Sequence, residues 1–335
     1  MPAGFLMPPE TSVRRRVRVA VAASLIASCA ATVGVRTQSA PVKMDGYPDP
    51  GSPALVVLTT AGAEPRAKLR YAVPKTYKDH MLSTISMSMA MDMAGAPMPP
   101  MDMPAMVQGT DLAITDVQPS GDIAYSVSVS SFGVDAKPGD PPAMAAMAQT
   151  LGPYLQAASD TIKSVKGMVT MSDRGIAKSI AFDTSKVTDP QLKQLMDTAA
   201  VATQSLSTVL PEEAVGVGAR WETRQALASG GIQIFQKSTF EVTAIDGKTI
   251  SLKVTMEQTA PSQAIDAPGM PAGAQARVQK YSGSGSGTLS IRLDSLVPTS
   301  TLTMQNTLVT EIAMGGDAQT VTNTTSLKVI IAPGK

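Results

Sequence analysis

The chain has few of the residues on which most catalytic and metal sites depend. Its 335 residues include one histidine, His80, and one cysteine, Cys29. No disulfide can therefore form within the chain, and a zinc site would have to depend almost wholly on carboxylates. Charged residues make up only 16 % and the formal net charge is +1, so nothing attracts nucleic acid electrostatically. We expect neither a zinc centre nor a nucleic-acid partner.

Catalytic motifs are also missing. A Ser-His-Asp triad would have to use His80, and no Gly-x-Ser-x-Gly turn surrounds a candidate serine. The adjacent carboxylates Glu212 and Glu213 remain for acid–base chemistry, but neighbouring residues project in different directions. We therefore predict a protein that is not an enzyme and has no cofactor. A hydrolase that uses carboxylates is the alternative ranked last.

The first residues have the features of a bacterial export signal. A basic stretch, Arg14 to Arg18, precedes an apolar run at 19–27 that is too short to span a bilayer. The sequence Leu25-Ile-Ala-Ser-Cys29 follows, and it resembles a lipobox, in which the cysteine is acylated and becomes the mature N-terminus. We predict a signal peptide at 1–28 and a lipid anchor at Cys29 in the cell envelope. An ordinary signal peptide and a periplasmic or secreted protein are the alternative.

The remaining sequence alternates mostly with a period of two, which is typical of half-buried antiparallel strands. Asp246-Gly247 lies between two alternating runs and predicts a hairpin turn. The clearest alternating runs are 122–129, 248–256, 287–293, 300–304 and 326–330. Aromatic residues are scarce at 4 %, whereas the 21 methionines can fill part of the core.

Two segments instead have helical character: 142–166, interrupted by Gly152-Pro153, and 189–210, which Pro211 ends. We predict a β-rich α+β fold, with mostly antiparallel strands in two curved sheets or half-barrels and two main helices. The predicted divisions are a signal peptide at 1–28, a flexible tether at 29–53, a first β-unit at 54–186, a connecting helix at 187–211 and a second β-unit at 212–335.

The two β-units share a faint pattern. The stretch from Leu112 through the turn at Gly121 parallels the stretch from Phe240 through Gly247, and the segment after Gly167 parallels the segment after Gly287. A duplication would explain the pattern, with Leu69–Tyr71 and 220–222 opening the two copies. Chance similarity between antiparallel proteins is the alternative.

Several short motifs resemble those of an uncharacterised group of bacterial β-rich envelope proteins and lipoproteins. They are the lipobox, Lys68-Leu-Arg-Tyr71, the methionine-rich strand that follows it and the stretch from Leu210 to Trp221. The order of strands and helices is also similar to lipoprotein-carrier-like half-barrels, which hold acyl chains in an open cup. This resemblance implies a non-catalytic envelope lipoprotein, anchored in a membrane, that binds an apolar ligand such as an acyl chain or an envelope protein partner.

One compositional anomaly favours a second hypothesis. Nine methionines fall within residues 81–106, and thioethers are soft ligands suited to Cu(I). The candidate ligands are Met87, Met89, Met91 and Met93, with His80 as a nitrogen donor. The period of two also fits an ordinary apolar stripe on one strand face, in which methionine is merely the apolar residue present.

Overall fold

The computed structural model describes most of the chain after residue 41. The described residues are 42–135, 141–142, 144–150, 152–153, 163, 165–183, 208–229, 231–265, 275–314 and 317–334. The predicted signal peptide and Cys29 therefore lie outside the described residues.

Strands dominate the described ranges, and each alternating run predicted as a strand is confirmed as part of a longer one, apart from the terminal residues 122, 248 and 293. The strands are β1 (Leu55–Thr60), β2 (Ala67–Lys68), β3 (Lys78–Met93), β4 (Ala96–Pro97), β5 (Met101–Val117), β6 (Ile123–Asp135), β7 (Lys166–Met171), β8 (Ala177–Phe182), β9 (Ala214–Val215), β10 (Arg220–Ser229), β11 (Ile232–Asp246), β12 (Thr249–Ala260), β13 (Gln263–Ala264), β14 (Gln275–Arg292), β15 (Thr299–Met314) and β16 (Asp317–Pro333).

The prediction of two separate curved sheets is wrong. Fourteen of these strands form one open, antiparallel sheet with β1 and β8 at its edges, in the order β1-β10-β11-β12-β14-β15-β16-β3-β5-β6-β7-β8. The short strands β13 and β4 pair with β14 and β3, while β2 and β9 form a separate two-stranded sheet.

The pairing of β16 with β3 joins the two halves into one sheet. It runs without interruption from Val321 opposite Met93 to Pro333 opposite Met81. Alternation along the chain shows that a strand exists but carries no information about a partner more than two hundred residues away. The error therefore lies in strand pairing rather than in strand assignment.

The prediction of two main helices is also wrong. Within the described ranges, helical residues occur only at 142, 144–150, 152–153 and 163, inside the first predicted helix. The second predicted helix, 189–210, lies outside the described residues except for 208–210, which have no regular secondary structure. The fold is accordingly a mostly antiparallel β-sheet protein rather than the predicted β-rich α+β protein with two main helices.

Two hairpins in different halves of the sheet have the same register. Leu112 lies opposite Val127 in the β5–β6 hairpin, and Phe240 lies opposite Val254 in the β11–β12 hairpin. In each case a bulge in the first strand follows two residues later. The two hairpins therefore share the position of a β-bulge as well as the sequence pattern, which indicates that they have the same local structure.

The strands after these hairpins also match. Gly167 lies opposite Phe182 in β7–β8, and Gly287 lies opposite Leu302 in β14–β15, so corresponding residues are 120 positions apart in both strands. Corresponding positions are buried in both halves. The pairs are Leu112 and Phe240, Ile123 and Ile250, Tyr125 and Leu252, Val169 and Leu289, and Met171 and Ile291.

The expected start of the first copy at Leu69–Tyr71 is wrong. Asp79 lies opposite Leu112 as Trp221 lies opposite Phe240, so β3 is the counterpart of β10. Residues 69–71 have no regular secondary structure, and they cross between the two halves. There the Tyr71 N–H donates to the Asp173 carbonyl at 2.7 Å, while the next residue donates to Leu293 at 2.6 Å.

The buried apolar side chains form three clusters in the described residues. The largest surrounds the fully buried Trp221, whose ring stacks on Phe240 with centroids 5.4 Å apart. The second lies against β5, β6 and β7 around Ile123, and the third lies around Val278. The first two clusters lie at corresponding places on the two hairpins. The third cluster lies apart from them, beside the first part of β14.

The described part of the predicted tether packs against the sheet. The Val42 N–H donates to Gln233 Oε1 at 2.9 Å, and Gln233 Nε2 donates back to the Val42 carbonyl. The Tyr47 ring meets the buried Phe235 edge-on, with centroids 5.2 Å apart. Val42 and Tyr47, within the predicted tether, therefore contact β11.

One ion pair at the edge of the second cluster predicts a dependence of stability on pH. The Lys178 ammonium lies 2.7 Å from Asp122 Oδ2 and holds the pKa of that carboxyl below its ordinary value. The pair should stabilise the fold above the ordinary aspartate pKa of about 4, and this contribution should vanish as the pH falls through the lower pKa of the folded state.

We therefore expect Lys178→Met to lower the free energy of unfolding at neutral pH and to have a smaller effect at about pH 2.5, where the carboxyl is already protonated in the unfolded state. Urea unfolding at both pH values measures the difference. Lys75→Met is the matched control, because Lys75 and Asp116 are exposed and 3.8 Å apart. Equal losses at the two pH values for Lys178→Met would contradict the prediction.

Candidate ligand-binding cavity

A cavity of about 770 Å³ lies where β14, β15 and β16 meet β3 and β5. Four methionines from different elements line it, and the helical segment at 144–150 contributes one of them. Apolar side chains in the lining include Met87, Met103, Met144, Met304 and Leu327. Because the strands belong to both halves of the sheet, the cavity exists only through the β16–β3 pairing.

The register explains how these residues come together. Gly285, Met304, Leu327, Met87 and Met103 lie directly opposite one another across five neighbouring strands. Directly opposed residues lie on the same face of a sheet, with Cβ atoms about 5 Å apart. The five positions therefore form one continuous, flexible apolar strip, since methionine adapts its shape to its surroundings.

Polar groups also line the cavity, which gives it an amphipathic character. The lining includes the charged residues Asp102, Asp135 and Lys328, as well as serine and threonine residues of β3, β14, β15 and β16. Pockets that bind small molecules typically combine an apolar wall with a few polar groups that orient the ligand. Because side chains alternate along a strand, Asp102 and Lys328 project to the face opposite that of their neighbours Met103 and Leu327, so the strip itself is apolar.

Three glycines in β14 allow neighbouring groups to approach the strand closely. Gly283, Gly285 and Gly287 alternate with exposed serines in the middle of an 18-residue strand. Neighbouring atoms occupy the space that a side chain would need at these positions. A Cβ at Gly285, for example, would lie 3.1 Å from Met256 Cε. The Ser-Gly repeat, which in sequence suggests a flexible start to a strand, is thus the centre of a fully paired one.

A network of hydrogen-bonded polar side chains lies next to these three glycines of β14. Gln258 Nε2 donates to Gln236 Oε1 at 2.7 Å, and the Tyr281 hydroxyl donates to Gln258 Oε1 at 2.7 Å. Burial raises the pKa of Tyr281 to about 12, so the hydroxyl remains a donor at physiological pH. Sequence periodicity could not find this network, because its members lie on three different strands.

Two buried amide oxygens close to the network have no hydrogen-bond partner among the described residues. They belong to Asn306 and Asn323 of β15 and β16. Asn306 lies two residues from the cavity-lining Met304, and Asn323 lies opposite Leu308. Buried acceptors without partners are costly, so they offer interaction energy to any group that can donate to them.

The four methionines predicted as metal ligands all lie on one face of β3, but they are spread along it. Met87 and Met93 are six residues apart, or about 20 Å at the usual rise of a strand. A single ion could therefore contact only neighbours in that series, together with residues from other strands. Cys29 lies outside the described residues.

His80 lies away from the methionines that it was predicted to join. Seven residues separate it from Met87 along β3, or about 23 Å. Its Nδ1 is 2.6 Å from Asp111 Oδ1, and the Ser130 hydroxyl is 3.4 Å from the same nitrogen. Among the described residues, no group of three or more His, Cys, Asp or Glu side chains could hold a metal ion.

Glu212, one of the two adjacent glutamates considered for acid–base chemistry, contacts two arginine side chains. The Glu212 carboxylate lies 3.6 Å from Arg174 Nη1, and Arg70 donates to the Glu212 carbonyl at 2.8 Å.

None of the helical residues described belongs to a segment with the length and hydrophobicity of a bilayer-spanning helix.

These features define an antiparallel β-sheet protein with a methionine-lined, amphipathic cavity. Residues 159–295 match the model of a "Family of unknown function (DUF6263)". The matched segment includes part of the cavity wall and the second hairpin. This match agrees with the predicted resemblance to an uncharacterised group of proteins. No curated protein matches the chain.

Two solved structures are among those similar to this chain. One is described as "Salmonella typhi OmpF complex with Daunomycin", with 7 % identity over 76 % of this chain and 98 % of that chain and a TM-score of 0.20. The other, described as "Asymmetric conductivity of engineered proteins", has 7 % identity over 76 % of this chain and 100 % of that chain and a TM-score of 0.21. TM-scores this low carry no argument about fold or function.

Proposed function

We propose that this protein is a non-catalytic envelope lipoprotein, anchored through Cys29, that holds an apolar ligand of the acyl-chain class. The observation that carries the proposal is the continuous strip of Met304, Leu327, Met87 and Met103 along the cavity wall. A cavity of about 770 Å³ falls within the usual range of ligand pockets.

The mixed lining supports an amphiphile rather than a plain hydrocarbon. Thioether side chains can repack around chains of different length, while the buried amide oxygens of Asn306 and Asn323, on the same sheet face as the strip, can accept hydrogen bonds from a polar head group. The basic stretch, short apolar run and lipobox before the β-sheet support the anchor and the envelope location. Both parts of the proposal can be tested on one purified protein.

Native mass spectrometry of the mature protein, purified gently from its own envelope, is the first experiment. We expect a mature N-terminus at Cys29 that carries a covalent diacylglycerol-type increment, and a second lipid mass that dissociates on activation. A chain that retains residues 1–28 would contradict the anchor. An empty cavity that also takes up no added fatty acid would contradict the ligand and would favour a protein partner.

A charge placed in the strip should weaken ligand binding strongly. We expect Met304→Asp to raise the Kd for a fluorescent fatty acid at least about tenfold, because the ligand must then bury an ionised carboxylate. Thr301→Asp is the matched control, since this exposed residue lies on the same strand and on its other face. Equal affinities for the two variants would exclude the cavity as the binding site.

A further inference from the structure

The strand pairing brings methionines of the segment 81–106 into three opposed pairs. Met87 lies opposite Met103, and Met89 lies opposite Met101. The third pair follows from a hydrogen bond between the Met98 N–H and the Met91 carbonyl, at 2.7 Å. We call these six residues the methionine ladder: Met87, Met89, Met91, Met98, Met101 and Met103.

The ladder does not have the burial expected of a core stripe. None of its six members belongs to the three apolar clusters formed by the described residues. Met98 and Met101 are 38 % and 37 % exposed, and the other four are only partly buried. Packing therefore explains few of these methionines, which weakens the interpretation of the segment as an ordinary apolar stripe.

The spacing of the ladder suits a small ion. Opposed Cβ atoms on neighbouring strands are about 5 Å apart, and successive same-face positions are about 6.6 Å apart along a strand. Two adjacent pairs thus place four unbranched, flexible side chains around one point on the sheet. Since Met89 and Met101 form the middle pair, every such group of four includes them.

We propose that the methionine ladder binds one soft monovalent cation, Cu(I) or Ag(I), with the Met89–Met101 pair at its centre. Neutral thioethers select such ions over Zn²⁺, Mg²⁺ or Ca²⁺, which prefer nitrogen, thiolate or oxygen ligands. The proposed ligands differ from those predicted from the sequence. Three of the six ladder methionines come from the segment after β3, and His80 is not among them.

This inference is independent of the proposed ligand in the cavity, although Met87 and Met103 contribute to both. Leucine is close to methionine in volume and apolarity, so a Met→Leu change preserves the cavity wall and removes the sulfur. Metal binding and lipid binding can therefore fail separately in the same variants.

The test compares two double variants that each remove two thioethers. Met89→Leu with Met101→Leu removes the middle pair. Met81→Leu with Met93→Leu is the control, because these residues lie on the same face of β3 but opposite Thr110 and Ala96. Binding is measured by calorimetry with Ag(I) and by competition for Cu(I) against a chromophoric Cu(I) chelator.

We expect one ion per wild-type chain and a loss of affinity of more than about 100-fold in the middle-pair variant, since even indirect ligand partners are worth up to that factor. The control should stay within about threefold of wild type, and fatty-acid binding should persist in both variants. No binding by the wild type, or equal losses in the two variants, would overturn the proposal. Circular dichroism verifies that each variant is folded.

Discussion

Replacing Trp221 with alanine should lower the free energy of unfolding by about 3–5 kcal/mol, the usual cost of removing a buried aromatic side chain. Trp221 is fully buried at the centre of the largest cluster and stacks on Phe240 at an interplanar angle of 13°. Its Nε1–H donates to the Val209 carbonyl at 2.9 Å. The change therefore opens a cavity and also leaves a buried carbonyl without its donor.

Urea unfolding followed by far-ultraviolet circular dichroism measures this loss, because the substitution removes the only tryptophan. Trp221→Phe is the informative control. It keeps a ring beside Phe240 but lacks the indole donor, so we expect a destabilisation between those of the wild type and the alanine variant. A loss below about 1 kcal/mol for Trp221→Ala would show that the buried stack contributes little.

Replacing Gly287 with alanine should also destabilise the protein, by about 2 kcal/mol or more, because the new methyl group has no space. Its Cβ would collide with the backbone oxygen of Thr301 and lie 2.7 Å from Leu302 Cδ2. The opposing atom is part of the β15 backbone, so relief would require the strands to move apart. Thermal and urea unfolding measure the loss.

Gly133→Ala provides the matched control for this prediction. Gly133 also lies within a long strand, β6, but a Cβ there would have no atom within 4 Å. Alanine is favoured over glycine in strands by about 0.5–1 kcal/mol, so this variant should be as stable as the wild type or slightly more stable. A similar loss in both variants would mean that strand glycines matter through chain entropy and not through contact.

Local sequence patterns were sufficient to locate most strands. The run at 248–256 falls within β12 except for its first residue, and the run at 300–304 falls within β15. The observed strands are longer than the predicted ones because their continuations contain glycine, serine and asparagine, which hide the alternation. The Ser-Gly repeat in β14 is the clearest case: its inward positions carry no side chain, so no apolar residue marks the strand.

The candidate site could be predicted only in part. A period of two places Met87, Met89, Met91 and Met93 on one strand face, and the structure has them there. Their partners on the next strand depend on a bulge in β5 between the positions opposite Ile85 and Met87. A register shift of one residue would move those partners to the other face, and nothing in the local sequence specifies it.

The sequence by itself determined the strand content, the hairpin at Asp246-Gly247 and the abundance of thioethers, because these depend on side-chain alternation, turn chemistry and composition. Only the tertiary structure decided that both halves share one sheet, that β16 joins β3, and that methionines from four elements line one cavity. The physical reason is that backbone hydrogen bonds between strands are the same for every sequence. The choice of partner therefore depends on how the whole set of apolar faces can be buried together.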